Sequence, residues 1–414
     1  MPLSFRYHQL PNGLDIISEE NPDSHSTALG LYVKTGARDE EPKLNGVSHF
    51  LEHMMFKGSD KYTWEDVNRI FDEIGARYNA FTSQEMTAYY ANVLPEFTER
   101  AVEHLAHLLR PAIRVEDFTT EKKVILEEIA MYLDDPGHRL YEKVMEAHFG
   151  KHPLAMSVLG SADSIVRLER DEMAGYFAQR YGPGNMVMVA SGRLEFDEVV
   201  RLAEKYMGHW PRVNAPRVQP DPVYKSERIA MADAKLNRAY TMAMTPGPSA
   251  QSDERFAARV LADVVGDSDG SRFYWALVDN ALAEDADFGF YPHDLCGSFY
   301  VSLVNDPDKT QQCLDIALKE LARVKEDLAD DEVERAKNKI ASSLILSGES
   351  PLGRMRALGN QWLYNKEYRS LETDMATLMA VTPGSMKELL EKYRFDPMTV
   401  VTLGPGEVTA TSSS

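Results

Sequence analysis

The stretch Gly46–Ser59, GVSHFLEHMMFKGS, decides the reading of this chain. In a helix, His49 and His53 stand one turn apart on one face. Two imidazoles at that spacing can grip one Zn²⁺. Glu52 follows His49 by three residues and precedes His53 by one, so its carboxylate can reach the open side of the metal. This H-x-x-E-H order reverses the H-E-x-x-H pattern of many zinc hydrolases. The chemistry requires neutral ligands and one nearby base that does not itself bind the metal. Taken alone, the pattern also fits two exposed helix histidines beside a surface glutamate.

A catalytic zinc needs a third protein ligand and leaves a position for water. A source lies downstream in TEKKVILEEIAMYLDDP, residues 120–136. Val124, Ile125, Ile129 and Leu133 recur there at helical spacing, and Pro136 closes the segment. Glu121, Ile125, Glu128 and Tyr132 fall on one stripe, which stacks two carboxylates beside an apolar face. Such carboxylates are costly unless paired or metal-bound. Glu127 points elsewhere and reads as solvated. Without the histidines, Glu121 and Glu128 would read as an ordinary charged helix flank.

With both segments in view, the chain resembles the inverted-motif zinc peptidases of the pitrilysin type, in a short bacterial form similar to the subunits of the mitochondrial processing peptidase. That family pairs H-x-x-E-H with a ligand glutamate about 75 residues later, and here 128 − 53 = 75. The likeness continues through LPNGLDIISEE, VKTGARDE, NAFTSQEMTAYY, HPLAMSVLGS, NMVMVASG and ERAKNKIASSLILSGESPLGRMRALG, nearly the whole chain. The resemblance implies one Zn²⁺ per chain held by His49, His53 and Glu128, with Glu52 as general base. It implies that Glu121 supports the catalytic site from beside a ligand. It also implies that Asn79, Ala80 and Phe81 lie on an edge strand that pairs with the backbone of a peptide substrate. The segment itself would serve equally as a plain sheet strand.

The resemblance also exposes a departure. Active members carry an Arg and, seven residues on, a Tyr in the second half; an ungapped match puts Val278 and Asp285 there. Arg272, Tyr274 and Tyr291 are the nearby polar candidates, and spacing does not choose among them. Family members of this length are half of a closed chamber. The expected state is therefore a dimer, with an identical copy or with an unlike subunit that supplies the missing pair. Two other readings stay open: a zinc-free structural homologue of the kind found in a respiratory complex, and a zinc-binding interaction module without turnover.

Composition agrees with a large soluble enzyme: 414 residues, 43% apolar and 27% charged. The net charge of −20 makes nucleic acid a poor partner. No run approaches the roughly 20 apolar residues needed to span a bilayer. The start, MPLSFRYHQLPNG, lacks a signal-peptide layout and reads as a hairpin strand turned by Asn12-Gly13. Two cysteines, Cys296 and Cys313, suit a reducing compartment and read as buried apolar filler. The cytoplasm is expected, with the periplasm left open.

One composition break divides the chain. WPRVNAPRVQPDPV, residues 210–223, has four prolines and no period. The expected organisation is a zinc-binding domain over 1–210, a linker over 211–223 and a similar domain over 224–414. Strands are expected near 5–10, 14–19, 27–35 and 80–93, then near 228–245 and 287–304. Val67, Ile70, Phe71 and Ile74 mark one amphipathic helix, and Ala101, Val102, Leu105, Leu108 and Leu109 another. The implied fold is α+β: two similar domains, each a mainly antiparallel or mixed sheet with helices packed on one side.

Overall fold

A computed structural model describes residues 3–213 and 215–406. The first half runs β1 (Ser4–Gln9), β2 (Asp15–Glu20), β3 (Thr27–Val33), α1 (Val47–Met55), α2 (Trp64–Glu73), β4 (Arg77–Thr82), β5 (Thr87–Val93), α3 (Thr98–Leu108), α4 (Val115–Leu133), α5 (Pro136–Phe149), α6 (Ala162–Arg167), α7 (Arg170–Arg180), β6 (Met186–Gly192) and α8 (Phe196–Met207). The second half runs β7 (Arg228–Ala232), β8 (Ala239–Gly247), α9 (Glu254–Gly266), β9 (Ala283–His293), β10 (Cys296–Asn305), α10 (Thr310–Asp327), α11 (Asp330–Gly348), α12 (Pro351–Asn365), α13 (Leu371–Met379), α14 (Pro383–Lys392) and β11 (Thr399–Gly404).

Local chemistry explains several of these boundaries. Gly13 takes φ 95° in the turn between β1 and β2, which pair antiparallel from Ser4 opposite Glu20 to Gln9 opposite Asp15. Thr63 caps α2 by accepting from the Asp66 amide, and Asp66 returns the bond to the Thr63 amide. The apolar stripes of α2 and α3 are buried as their spacing requires. The run expected over 80–93 is a hairpin, β4 and β5, and the run over 228–245 is two strands, β7 and β8. Neither intervening turn carries the Asn-Gly type of signal that marks a hairpin in sequence.

The two sheets follow one plan. Their strand orders are β1-β2-β6-β3-β5-β4 and β7-β11-β8-β10-β9. Strand β6 lies parallel to β2, and β11 lies parallel to β7; every other pairing is antiparallel. Apart from β1, each strand of the first sheet has a counterpart at the same place in the second. Both inserted strands, β6 and β11, are buried along their whole length, which requires cover on both faces.

That cover comes from an exchange. The first compact unit comprises Met1–Ala130, Met156–Val218 and Leu346–Arg369; the second comprises Met131–Ala155, Gln219–Ile345 and Ser370–Ser414. Helix α12, late in the chain, therefore belongs to the first unit. Its Met355, Leu358, Trp362 and Leu363 pack on Ile17, Ala28, Tyr32, Val187 and Val189 of the first sheet. Each such buried side chain stabilises by about 1.5–3 kcal/mol. Arg354 donates to both Glu19 oxygens at 2.7 and 2.6 Å, and Trp362 Nε1 donates to Asp15 at 2.8 Å. Helix α5, early in the chain, belongs to the second unit. Its Leu140 and Val144 pack with Met242, Met244, Val401 and Leu403, and Arg139 pairs with Asp233 at 2.7 Å.

The α+β class with two similar domains is as expected, and the compact units draw on separated stretches of chain where contiguous ranges of 1–210 and 224–414 were expected. Hydrophobic spacing reveals which face of a helix is buried but not which sheet buries it. The proline-rich stretch carries no helix or strand among its described residues, and the second segment of the first unit ends within it at Val218.

Candidate metal centre

Helix α1 is held from its N-terminal end by a buried carboxylate. Glu40 accepts from the Gly46 and Ser48 amides, both at 2.7 Å, and from Asn45 Nδ2 at 2.9 Å. These bonds satisfy amides that a helix start leaves without partners. Burial nevertheless pushes the Glu40 carboxyl up to about 7. Gly46 enters the helix at φ 93°, where a Cβ would lie 2.6 Å from the Leu159 carbonyl oxygen. Only glycine fits both the conformation and the space. Ser48 Oγ lies 2.8 Å from the Tyr176 hydroxyl, which tethers α1 to α7.

On this helix His49 and His53 face Glu128 of α4. His49 Nε2 lies 3.8 Å from one Glu128 oxygen and His53 Nε2 lies 3.5 Å from the other. One ligand atom from each of the three residues falls within 4.8 Å of the other two. Two ligand atoms on a tetrahedral zinc, each about 2.0–2.1 Å from it, stand about 3.4 Å apart. The donor set and spacing therefore fit Zn²⁺. His53 Nδ1 lies 2.9 Å from Glu121 Oε1, which fixes the ring and leaves Nε2 to face the centre. Glu121 is buried and is also paired with Lys57 Nζ at 2.5 Å. His49 Nδ1 is buried without a hydrogen-bond partner among the described residues.

The charges sort themselves around this centre. Burial, helped by the neighbouring His53, pushes His49 down to about 4, so it is a neutral donor at physiological pH. Burial also pulls His53 down, but the Glu121 hydrogen bond and the charges of Glu128, Glu121 and Glu52 outweigh it, and its pKa is raised. Burial raises Glu52, against the opposing Thr82 hydrogen bond. For Glu121 burial is overcome by His53 and Lys57, and its pKa is lowered. Three carboxylates converging on two imidazoles make a place that attracts a cation.

Asn79, Ala80 and Phe81 lie on β4, the edge strand of the first sheet. The Ala80 amide turns to the Asn79 side-chain oxygen at 2.9 Å, and Asn79 is exposed. Phe81 points to the opposite face, where it packs against the α12 cluster. Its side chain therefore serves the core, and only its backbone belongs to the free edge. On α4, Ile125 and Ile129 are buried as expected, whereas Val124 is 42% and Leu133 56% exposed. Glu127 is exposed.

Sequence reasoning missed three residues of this centre: Glu40, Lys57 and Thr82. All lie in stretches quoted above; Lys57 and Thr82 work through partners distant in the chain, whereas Glu40 holds amides only 6 and 8 residues on, a role its residue type alone does not announce. Thr82 donates to Glu52 Oε2 at 2.5 Å. In the second unit, Arg272 is engaged by Asp327 at 2.6 Å and Glu332 at 2.7 Å. Tyr291 stacks on Tyr300 with ring centroids 4.4 Å apart, and Tyr274 makes an edge contact with Trp275. Asp285 is exposed on β9. Cys296 and Cys313 are both buried, and no disulfide is formed among the described residues. No helix among the described residues is long and apolar enough to cross a membrane.

Known proteins share this architecture. The chain has a TM-score of 0.91 with a protease from Helicobacter pylori, at 18% identity, covering 98% of this chain and 100% of that one. It has a TM-score of 0.86 with a chain of complex III2 from Candida albicans, at 19% identity, covering 97% and 96%. At these identities the likeness concerns the fold alone. In sequence, an uncharacterized zinc protease of Streptomyces coelicolor is 31% identical over 392 residues, 91% of this chain and 84% of the relative. An uncharacterized zinc protease of Bacillus subtilis is 29% identical, over 89% of this chain and 91% of the relative. Residues 15–162 match the insulinase domain of peptidase family M16, and residues 167–340 match the domain described as the M16 inactive domain. With both domains matched in order over most of its length, the chain belongs to the insulinase family of peptidases, M16.

Proposed function

We propose that this chain is a zinc-dependent endopeptidase that cleaves peptides or unfolded segments. The observation that carries the reading is the convergence of His49, His53 and Glu128 beside a carboxylate, Glu52, that is not among the three ligands. A zinc ion held by those three residues would supply Lewis-acid polarisation of a water and of the peptide carbonyl. Glu52 takes the water's proton at a carboxylate oxygen as the water adds to the carbonyl carbon. Glu52 then returns that proton to the leaving amine. Glu121 holds His53 in the tautomer that presents Nε2, and Lys57 keeps Glu121 ionised. The open edge of β4 at Asn79 and Ala80 receives the substrate as an added strand, which favours extended chains over folded ones.

A second chain completes the working enzyme. What supports this is the occupation of the nearby candidate side chains: Arg272 is committed to two carboxylates, and the family's Arg and Tyr positions hold Val278 and Asp285. The partner is a second copy or an unlike subunit that brings the oxyanion-stabilising pair. The test is Glu52→Gln, with zinc content and cleavage of a fluorogenic peptide measured on one preparation. Zinc is expected to stay bound while turnover falls by roughly 10²–10⁴-fold. Undiminished, chelator-sensitive turnover in the variant would remove Glu52 from the role.

A further inference from the structure

The geometry points to Thr82 as a positioning residue that fixes the Glu52 carboxylate and ties it to the strand that receives substrate. The inference rests on the function proposed above. It stands on the placement of one hydroxyl. Thr82 is the last residue of β4, and its Oγ1 donates to Glu52 Oε2 at 2.5 Å across 30 positions of sequence. Alternation along the strand puts Ala80 and Thr82 on one face and Phe81 on the other, where Phe81 packs with the α12 cluster. Thr82 is thus turned toward α1 by the same register that leaves the backbone of Ala80 at the open edge.

Threonine suits this position for a physical reason. Its branched β-carbon restricts χ1 on a strand, so the hydroxyl has a nearly fixed direction. A glutamate has three rotatable torsions and, in a site open to water, many ways to turn away. The Thr82 bond ties one oxygen, Oε2. The other, Oε1, has no hydrogen-bond partner among the described residues and remains for the water. Since β4 also carries the edge at Asn79 and Ala80, displacement of the strand would shift base and bound backbone together. Their separation would be preserved, and near-attack geometry depends on that separation. An ordinary strand-to-helix tether would not need to end on the carboxylate that lies outside the ligand set.

Two variants test this. Thr82→Val keeps the shape and removes the hydroxyl; Thr82→Ser keeps the hydroxyl. In crystals soaked with zinc, Glu52 is expected in one conformer bonded to residue 82 in the wild type and in Thr82→Ser. It is expected to be turned or split in Thr82→Val, with His49, His53 and Glu128 unmoved. With a fluorogenic peptide, Thr82→Val should lose about 10–100-fold in kcat with little change in KM, and Thr82→Ser should recover most of it. An unmoved Glu52 in Thr82→Val overturns the inference, whether or not the chain turns out to be a peptidase. So does a rise in KM at unchanged kcat, which would make Thr82 a substrate contact, or an equal loss in both variants, which would make it a packing residue. Failure of the functional reading looks different: the wild type would show no chelator-sensitive cleavage, and the crystallographic comparison would still decide the role of Thr82.

Discussion

In the first unit the helix after strand β3 is α1; in the second the helix after strand β8 is α9, at the same place in the same strand order. Helix α1 buries Ser48 and His49 and rests on the buried carboxylate of Glu40. Helix α9 buries Ala257, Ala258, Val260, Leu261, Val264 and Val265, and at Gly266 it runs so close to Phe288 that a Cβ would clash with the strand. The helices that follow differ likewise. Helix α4 brings Glu121 and Glu128 inward, whereas α11 brings Lys337, which is spent on Glu334 and the Val381 carbonyl. The sheet plan is therefore independent of the chemistry. A metal centre on this plan requires a set of buried polar groups that satisfy one another, and removing the set leaves a simpler, apolar packing.

The comparison can be broken most forcefully at the exchanged helix. Arg354→Met leaves Glu19 buried without its cation and should cost the first unit about 3–5 kcal/mol in urea unfolding. A loss below about 1 kcal/mol would show that the pair does not lock α12 in place. Acid should act on both units alike. His104 in the first unit and His148 in the second are each pushed down to about 4 by burial. Each stays neutral when folded while its unfolded counterpart protonates near 6.5, so the unfolded chain binds more protons between those values. Stability is complete above about pH 6.5 and falls as pH drops toward 4, by up to about 3 kcal/mol for each histidine. Melting temperatures that stay level down to pH 4.5 would contradict this.

A smaller effect separates the two corresponding helices. Asp263 of α9 is half-buried, and burial together with Asp267 raises its carboxyl to about 6. The folded state then holds the proton more tightly, so the stability loss sets in as pH rises through 4 to 6 and is complete above it. Asp263→Asn should stabilise by about 1 kcal/mol at pH 7.5, after allowance for solvent screening, and should do nothing at pH 4. Equal effects at both pH values would mean that packing, not charge, governs the site. At the small end, Arg69 on the exposed face of α2 pairs with Asp66 and Glu73. Arg69→Ala should leave the melting temperature unchanged within error, because exposed pairs gain little over their hydrated charges.

Much of the candidate centre could be proposed from sequence because the residues that would hold the metal are placed locally. His49, Glu52 and His53 share two turns of one helix, and Glu128 lies on a stripe with Glu121. The duplicated plan was legible from the order of strands and from the two closing strands, β6 and β11. The exchange of α5 and α12 was not, because amphipathic spacing is silent about destination. Nor were Lys57 and Thr82, whose partners are set by the close approach of separate elements, nor the role of Glu40, which caps α1 from just ahead of it. The hairpin turns at Ser83–Met86 and at Asp294–Leu295 also left little trace. Leu295 adopts φ 66°, a conformation that sequence reasoning assigns to glycine or asparagine.

The exchanged helices also bear on how the polypeptide could be divided. A cut within residues 211–223 would fall where the described residues carry no helix or strand, yet neither unit would be released whole, because each is built from both fragments. The nicked molecule would be held by two reciprocal latches, α5 in one direction and α12 in the other. The same reciprocity orders biosynthesis: until residues 351–365 have left the ribosome, the face formed by Ile17, Tyr32, Val187 and Val189 has no cover of its own. A nascent chain bearing the finished H-x-x-E-H segment is thus still an open sheet.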